Sequence, residues 1–545
     1  MLNKKCLFSG LLLPLFLLIF GCANRQPPGG GPRDHDPPKL LKATPPNMTR
    51  FFKGKVIQLD FDEYFKINNP YSEITMSPTP TKVPEYKTVK KSIVITLKDS
   101  LEKNTTYVIN FGKAIADVDE GNILKNFTYV FSTGAHIDSL SISGRVVNTE
   151  TGERDKEATV MLFTLKQDSL LFGKKRPSIY ATVDSAGNFS LNNLHPDDYR
   201  IYALKQLTPN KIYDYNKDLI GFSKRVIHLT RDTSNVELKL FKAKPDKFRM
   251  VDHRFDNDGK LFFTFNEPLD DLSVKVIYPP DFDQYKIVEF SKTKDTAKVF
   301  MRNMDFDSLR MEFFDKGKPI DTLSFHKGRK EAFQRQLSFT YNITNDGKLT
   351  PGRRFMAIAS YPIDTFDPAQ IILKEDSNEV SNFTIVRDTA NTRNLFIDYR
   401  WKQKAKYRLT FNTDAVSDIY GDKNKGARTP EFILDNPENY SLLTLTVTVP
   451  DSGKSYIVEL LNEKKQVLKS DIIHKKSVLT YKNYITGKYT VRVTYDDNNN
   501  GKWDSGNVRQ RLQPENIWVD PDVIPLRPNW EQQTPINVPK EPVTP

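Results

Sequence analysis

Short runs in which apolar and polar side chains alternate recur along most of the chain. Lys55–Phe61, Ser92–Leu97 and Thr106–Phe111 are rich in β-branched and aromatic residues and are bounded by Asn, Asp, Gly and Pro. Such runs favour strands, and such boundaries favour turns. A period of two puts every second side chain on one face, so each run reads as a strand with one face buried. No stretch of a dozen residues carries a convincing amphipathic helix. Regularly spaced short strands with turn signals predict an all-β chain of tandem antiparallel sandwiches, strung like beads.

The pattern is written more than once. Asn104–Phe111, followed by Ala114 and Asp117, is echoed by Lys404–Phe411, followed by Ala415 and Asp418. In both, Tyr and Phe four residues apart share a strand face, and an Asp-rich turn follows. Ahead of these lie Leu59–Glu63 and Ile363–Pro368, each a strand running into acidic residues, and Phe263–Leu269 reads as a third, degraded copy. A second template begins near residue 140. It comprises Ile142–Val147, Thr159–Phe163, Val183–Leu191 and Tyr199–Leu204, with a glycine-bearing hairpin turn across Asp184–Asn188. Tyr484–Val493 repeats its short loop, tyrosine and alternating strand.

Both ends break the alternation. Lys4 and Lys5 precede an apolar run, Leu7–Phe20, which is too short to span a bilayer comfortably, and Gly21-Cys22 follows. That is a lipoprotein export signal, after which Cys22 becomes the lipid-bearing first residue. The alternative is an ordinary secretory signal cut near Ala23. Arg25–Pro38, with its Pro-Pro-Gly-Gly-Gly-Pro run, predicts a tether, and the proline-rich segment Glu531–Pro545 a tail that frays or lies extended on the last domain. The only cysteines are Cys6 and Cys22, so an exported, acylated chain has no disulfide and depends on packed cores.

Charge changes the picture little. The formal net charge of +12 is spread among acids and apolar positions instead of forming a stripe. Lys174-Lys175-Arg176 and Lys464-Lys465 read as solvated loop tips, and no nucleic-acid partner is implied.

Asp36-Pro37-Pro38, Leu59–Glu63, Thr105-Thr106-Tyr107, Phe111-Gly112 and Phe131–Gly134 resemble the bacterial Ig-like domain named after the S-layer protein SbsA. With the cysteine and tether, the chain is similar to Bacteroidetes surface lipoproteins known only as Ig-like domain-containing. The second template resembles the transthyretin-like regulatory domain of carboxypeptidases and the collagen-adhesin B-type repeat, domains that space other modules. These resemblances imply a signal peptide at 1–21, a tether at 22–37, an Ig-like domain at 38–135 and a transthyretin-like sandwich at 136–243. A degenerate Ig-like domain at 244–340, a second Ig-like domain at 341–437, a transthyretin-like sandwich at 438–530 and a tail at 531–545 complete the expected order.

The best chemical candidate is Asp496–Asp504. Oxygen side chains at positions 1, 3, 5 and 9 (Asp496, Asn498, Asn500, Asp504), Gly501 at 6 and the Lys502 carbonyl at 7 follow most of an EF-hand loop and suit Ca²⁺. Position 12 is Asn507 instead of a bidentate Glu, so affinity is expected to be low unless another oxygen fills in. A hairpin turn whose side chains bond their own backbone fits the same residues. Asp214–Asp218 lacks the glycine and reads as structural, as does the acidic turn Asp117–Asn122.

No catalytic residues are assigned. The seven histidines are scattered, and no His-Glu-x-x-His, Gly-x-Ser-x-Gly or phosphate loop occurs. Asp followed by Ser or Thr and a small or aliphatic residue occurs at Ser100, Ser139, Ser169, Ser185, Thr296, Ser308, Thr322 and Thr389, and resembles the O-glycosylation acceptor of Bacteroidetes. The expectation is a non-catalytic scaffold or binding module, anchored in the cell envelope at the outer membrane by its lipid, with an unknown protein or glycan partner. The competing expectations are a glycan-binding accessory using Trp503, Trp518 or Trp530, a hydrolase within 244–340, and an accessory subunit of a secretion or gliding apparatus.

Overall fold

The computed structural model describes residues 34–541 apart from 174–175, 209, 216, 246 and 328–332. Cys22, the export signal and most of the tether lie outside the described residues. The chain divides into two compact units, one ending at Asp138 and one beginning at Ser139. It is an all-β protein, as the alternation predicts. Among the described residues, α-helix is confined to Pro70–Glu73. No helix among them is long and apolar enough to cross a membrane.

In the first unit, Leu40–Thr44, Val56–Phe61, Ser92–Thr96 and Glu85–Val89 form one sheet in that order, and Thr75–Ser77, Thr106–Asn110 and Thr128–Ser132 form another. A separate two-stranded ladder pairs Phe65–Ile67 with Ile115–Asp117. Along Val56–Phe61 the period of two is visible as burial: Ile57, Leu59 and Phe61 are inside, while Val56 and Gln58 face solvent. Ile57, Leu59, Ile93, Ile95, Ile109 and Phe131 meet in one core. Each such side chain contributes roughly 1.5–3 kcal/mol relative to leaving it exposed.

Among the described residues the second unit holds five hydrophobic clusters: four are sandwich cores, and the fifth, around Phe163, Tyr202 and Phe241, covers the outer face of the module that follows the first unit, so the chain is read as five modules. In the fourth module, Phe339–Tyr341, Phe355–Ala359, Asn394–Asp398 and Thr384–Arg387 repeat the strand order of the first sheet, and Ile363–Phe366 pairs with Val416–Asp418. In the third, Met250–Phe255, Lys260–Phe265, Thr296–Met301 and Lys286–Phe290 take that order again. Phe263 and Phe265 therefore correspond to Leu59 and Phe61, in keeping with the third-copy reading. The alignment of Leu59–Glu63 with Ile363–Pro368 is corrected. The partner of Leu59–Phe61 is Ala357–Ala359, and Ile363–Phe366 matches the short ladder strand Phe65–Ile67. Both segments end in acidic residues, and that local similarity concealed a shift of one strand.

The second and fifth modules share another topology. Leu140–Asn148 pairs antiparallel with Asn188–Leu194 and parallel with Thr233–Leu240. Tyr440–Thr448 does the same with Ser477–Ile485 and Glu531–Asn537. Each of these two modules thus carries one parallel pair within otherwise antiparallel ladders. The parallel pair of the fifth module corrects the boundary at 530, because Glu531–Asn537 is a strand of that module whose Ile536 is buried in its core. Pro535 is tolerated there because the strand lies at the sheet edge. In the second module Gly144 permits the parallel approach: a Cβ there would stand 1.8 Å from the Val236 carbonyl oxygen.

Within the second unit the modules are stitched together and do not behave as independent beads. Third meets fourth through Arg393–Glu289 at 2.8 Å and Arg302–Asp364 at 2.7 Å. Fourth meets fifth where Asn483 Nδ2 donates to the Pro351 carbonyl. The fifth also reaches back to the second, through the loop described next.

Candidate functional site: the Asp/Asn loop of the fifth module

The strand Gly487–Asp496 delivers Asp496 to the rim of the sheet, where it is 1 % exposed. Its Oδ1 accepts from Asn500 N at 3.0 Å and its Oδ2 from Gly501 N at 2.9 Å. Asn499 and Gly501 take left-handed conformations, with φ of 58° and 71°, to close this turn. Asn498 Oδ1 accepts from Asn500 N, and Asn500 Oδ1 from Lys502 N. The side-chain amides of Asn498 and Asn500 both donate to Asp504 Oδ2, at 2.5 and 2.6 Å, while Lys244 Nζ holds Asp504 Oδ1 at 2.8 Å. Burial opposes the Asp504 charge, but Lys244 and the two amides outweigh it and the pKa is lowered.

The four oxygen-bearing side chains named from spacing therefore gather in one place. Lys502 contributes only backbone to the turn, since its ammonium reaches out to Asp270 at 2.8 Å. There, Lys316 and Lys502 hold the Asp270 carboxyl down at about 2. Asn507 at position 12 is not part of the cluster; it exchanges backbone hydrogen bonds with Leu512.

Sequence spacing missed Glu515. Its Oε1 accepts from Asp497 N at 3.0 Å and its Oε2 from Asp504 N at 2.9 Å, and the residue is 9 % exposed. Burial, and behind it the Asp504 and Asp496 carboxylates, push its pKa up to about 7 against the two N–H donors. The residue lies 11 positions beyond Asp504 and outside any 12-residue loop template. Strand register brings it back: Ile517–Val519 pairs with Arg492–Thr494, and Tyr495 N donates to Asn516 O. Among the described residues, no three His, Cys, Asp or Glu side chains are placed to hold a metal by themselves, so a cation here would depend on amide and carbonyl oxygens as well.

Between Asp504 and Glu515 the chain leaves the fifth module and docks on the second. Val508 is buried among Phe163, Leu171, Tyr202, Phe222 and Phe241 of that module. Ser505 Oγ donates to the Lys242 carbonyl, Lys244 N to the Gly506 carbonyl, and Gln513 Nε2 to the Phe222 carbonyl. Arg511 pairs with Asp168, and both meet Tyr202 Oη, to which Arg511 Nη1 donates at 3.2 Å.

The remaining candidates resolve individually. Asp117 accepts from the backbone N–H groups of Glu120, Gly121 and Asn122, so this turn binds its own backbone. In the second module Asp218, not Asp214, turns inward, accepting from Asp214 N and Gln206 Nε2; Asn216 lies outside the described residues. Trp503 donates from Nε1 to the Glu515 carbonyl, Trp518 packs on the fifth core, and Trp530 is 50 % exposed beneath Arg527. Six of the eight Asp-Ser/Thr motifs present an exposed hydroxyl residue; Thr296 and Ser308 are half-buried.

The family described as "Bacterial Ig-like domain" matches residues 34–133, the first module. No curated protein matches the chain. Among solved structures, the chain is similar to BcpA, the major pilin subunit of Bacillus cereus, at 9% identity and a TM-score of 0.14, over 73% of this chain and 99% of that one. The Bacillus anthracis TIE protein aligns at 11% identity and a TM-score of 0.14, over 93% and 75%. The S-layer protein rSbsC(31-844) aligns at 10% and 0.13, over 83% and 63%.

Proposed function

We propose that the protein is a non-catalytic, lipid-anchored component of the bacterial cell envelope, acting as a scaffold or binding module held through Cys22. The observation that carries this reading is the docked loop. Modules far apart in sequence are fixed to each other by a buried valine, an arginine–aspartate pair and hydrogen bonds from Ser505 and Gln513 to backbone carbonyls, which suits a body that must keep its form while holding a partner. The Ig-like first module and the lipoprotein signal support an extracytoplasmic site of action. Metabolic labelling with a palmitate analogue is expected to mark Cys22, and protease treatment of intact cells to remove the body without lysis. Absence of label would overturn the anchor, and a protected body would turn the module to the periplasm. Exposure of most Asp-Ser/Thr motifs supports O-glycosylation, for which the native intact mass is expected to exceed that of chain plus lipid.

A further inference from the structure

The Asp/Asn loop carries a reading that stands apart from the envelope role. Buried carboxylates are ordinarily paired with a cation or bound to a metal, because an uncompensated charge out of water is costly. Asp496 and Glu515 are both buried, and among the described residues neither forms an ion pair with a lysine or arginine. A second observation comes from the neighbouring strand. Ser455 stands directly opposite Asp496 in the antiparallel ladder, so the two side chains leave the same face side by side. Ser455 is 1 % exposed and its Oγ has no hydrogen-bond partner. A buried hydroxyl left unsatisfied beside a buried carboxylate marks a place for a ligand that both can face.

We infer that a divalent cation of the calcium class is held here by Asp496, Asn498, Asn500, the Lys502 carbonyl, Asp504 and Glu515, with the Ser455 hydroxyl facing it beside Asp496, and that it fixes the docked loop on the second module. Glu515 supplies the acid that the twelfth position lacks. The Oδ1 atoms of Asn498 and Asn500 already point into the turn, accepting from Asn500 N and Lys502 N, and each keeps a second lone pair for a cation. Hard oxygen donors in a loop open to solvent on its Asn side suit Ca²⁺ better than Mg²⁺, which demands tighter octahedral geometry. The link to docking is geometric. Asp504 and Glu515 form the two stems of the loop that carries Val508 and Arg511, and they are already joined by Glu515 N donating to the Asp504 carbonyl at 3.0 Å. A cation binding both stems closes the base of that loop.

Trp503 makes the site directly readable. On the full-length chain stripped with chelator, Tb³⁺ is expected to give emission sensitised by the Trp503 indole, displaced by Ca²⁺ with a midpoint of about 10⁻⁵–10⁻³ M and by Mg²⁺ at least roughly tenfold less readily. Trp503→Phe should lose the sensitised signal and keep its calorimetric Ca²⁺ affinity. Asp496→Asn and Glu515→Gln should each weaken Ca²⁺ binding by about tenfold or more. Should Glu515→Gln fail to fold, Asp504→Asn serves the same purpose. Hydrogen exchange across 505–513 should slow when Ca²⁺ is added. No Tb³⁺ or Ca²⁺ binding up to about 10 mM, ten times the weakest extracellular sites, would overturn the site. Wild-type affinity in both carboxylate variants would do the same. Ca²⁺ binding with unchanged exchange across 505–513 would overturn its role in docking.

Discussion

Asp117 and Asp418 occupy the same turn in two copies of one module, yet their carboxylates sit in opposite electrostatic states. Burial works against both charges. Around Asp117, N–H donors from Gly121, Asn122 and Glu120 reach both oxygens and bring the pKa below its ordinary value. Around Asp418 only Tyr420 N and Asp422 N donate, both to Oδ1, and the buried Oδ2 has no partner. Burial therefore wins, and the carboxyl rises from 3.8 to about 6, with Asp422 adding repulsion and Arg335 partly offsetting it. Between these two pH values the folded chain keeps a proton that the unfolded chain has released. Stability should accordingly fall by roughly 2–3 kcal/mol as pH rises through that window and stay level above it. Asp418→Asn keeps an oxygen for the two N–H donors and removes the charge. Its urea-unfolding free energy measured from pH 4 to pH 7 is expected to lack that decline; a decline of unchanged size would mean that another group is responsible.

Elements show how the same local solution is reused. Tyr107 and Tyr407 both accept a hydrogen bond from the backbone N–H five residues earlier, at 2.9 and 2.6 Å, locking the start of equivalent strands. Tyr199 and Tyr489 in the other template each donate to the carbonyl four residues earlier, at 2.9 and 2.7 Å. These pairs were legible as spacings because a tyrosine anchored to its own strand entry is a local device. The strand Glu531–Asn537 was not, since its pairing partner Leu442–Thr448 lies some 90 residues away and its prolines read as tail. Truncation after Trp530 removes that strand and strips Ile536 and Val538 from the fifth core. Burying two such side chains is worth roughly 3–6 kcal/mol, enough to unfold a module of marginal stability. Calorimetry of the truncated chain should show the loss of one transition, or a marked fall in its Tm.

Across the second unit, cohesion rests on few side chains placed at seams. Arg511, Asp168 and Tyr202 form one polar cluster of the second–fifth contact, beside the buried Val508. Arg511 and Asp168 are each under a third exposed, so their pairing is less screened than a surface ion pair. A double-mutant cycle with Arg511→Ala and Asp168→Ala, read by chemical unfolding, should give a coupling of about 1–3 kcal/mol. Additive losses would assign the contact to Val508 and the other hydrogen bonds between the modules. Either result bears on how rigidly the proposed scaffold holds its modules.

The order of apolar and polar residues by itself determined the all-β class, the two repeated templates and the gathering of Asp496, Asn498, Asn500 and Asp504, because each depends on neighbours within a strand or a turn. Only the tertiary structure decided which strands pair in parallel, that Ile363–Phe366 matches Phe65–Ile67, that Glu515 completes the acidic loop and that Val508 belongs to the core of another module. Those contacts join residues far apart along the chain. Ladder register and the closing of cores place such residues together, and no local period records them.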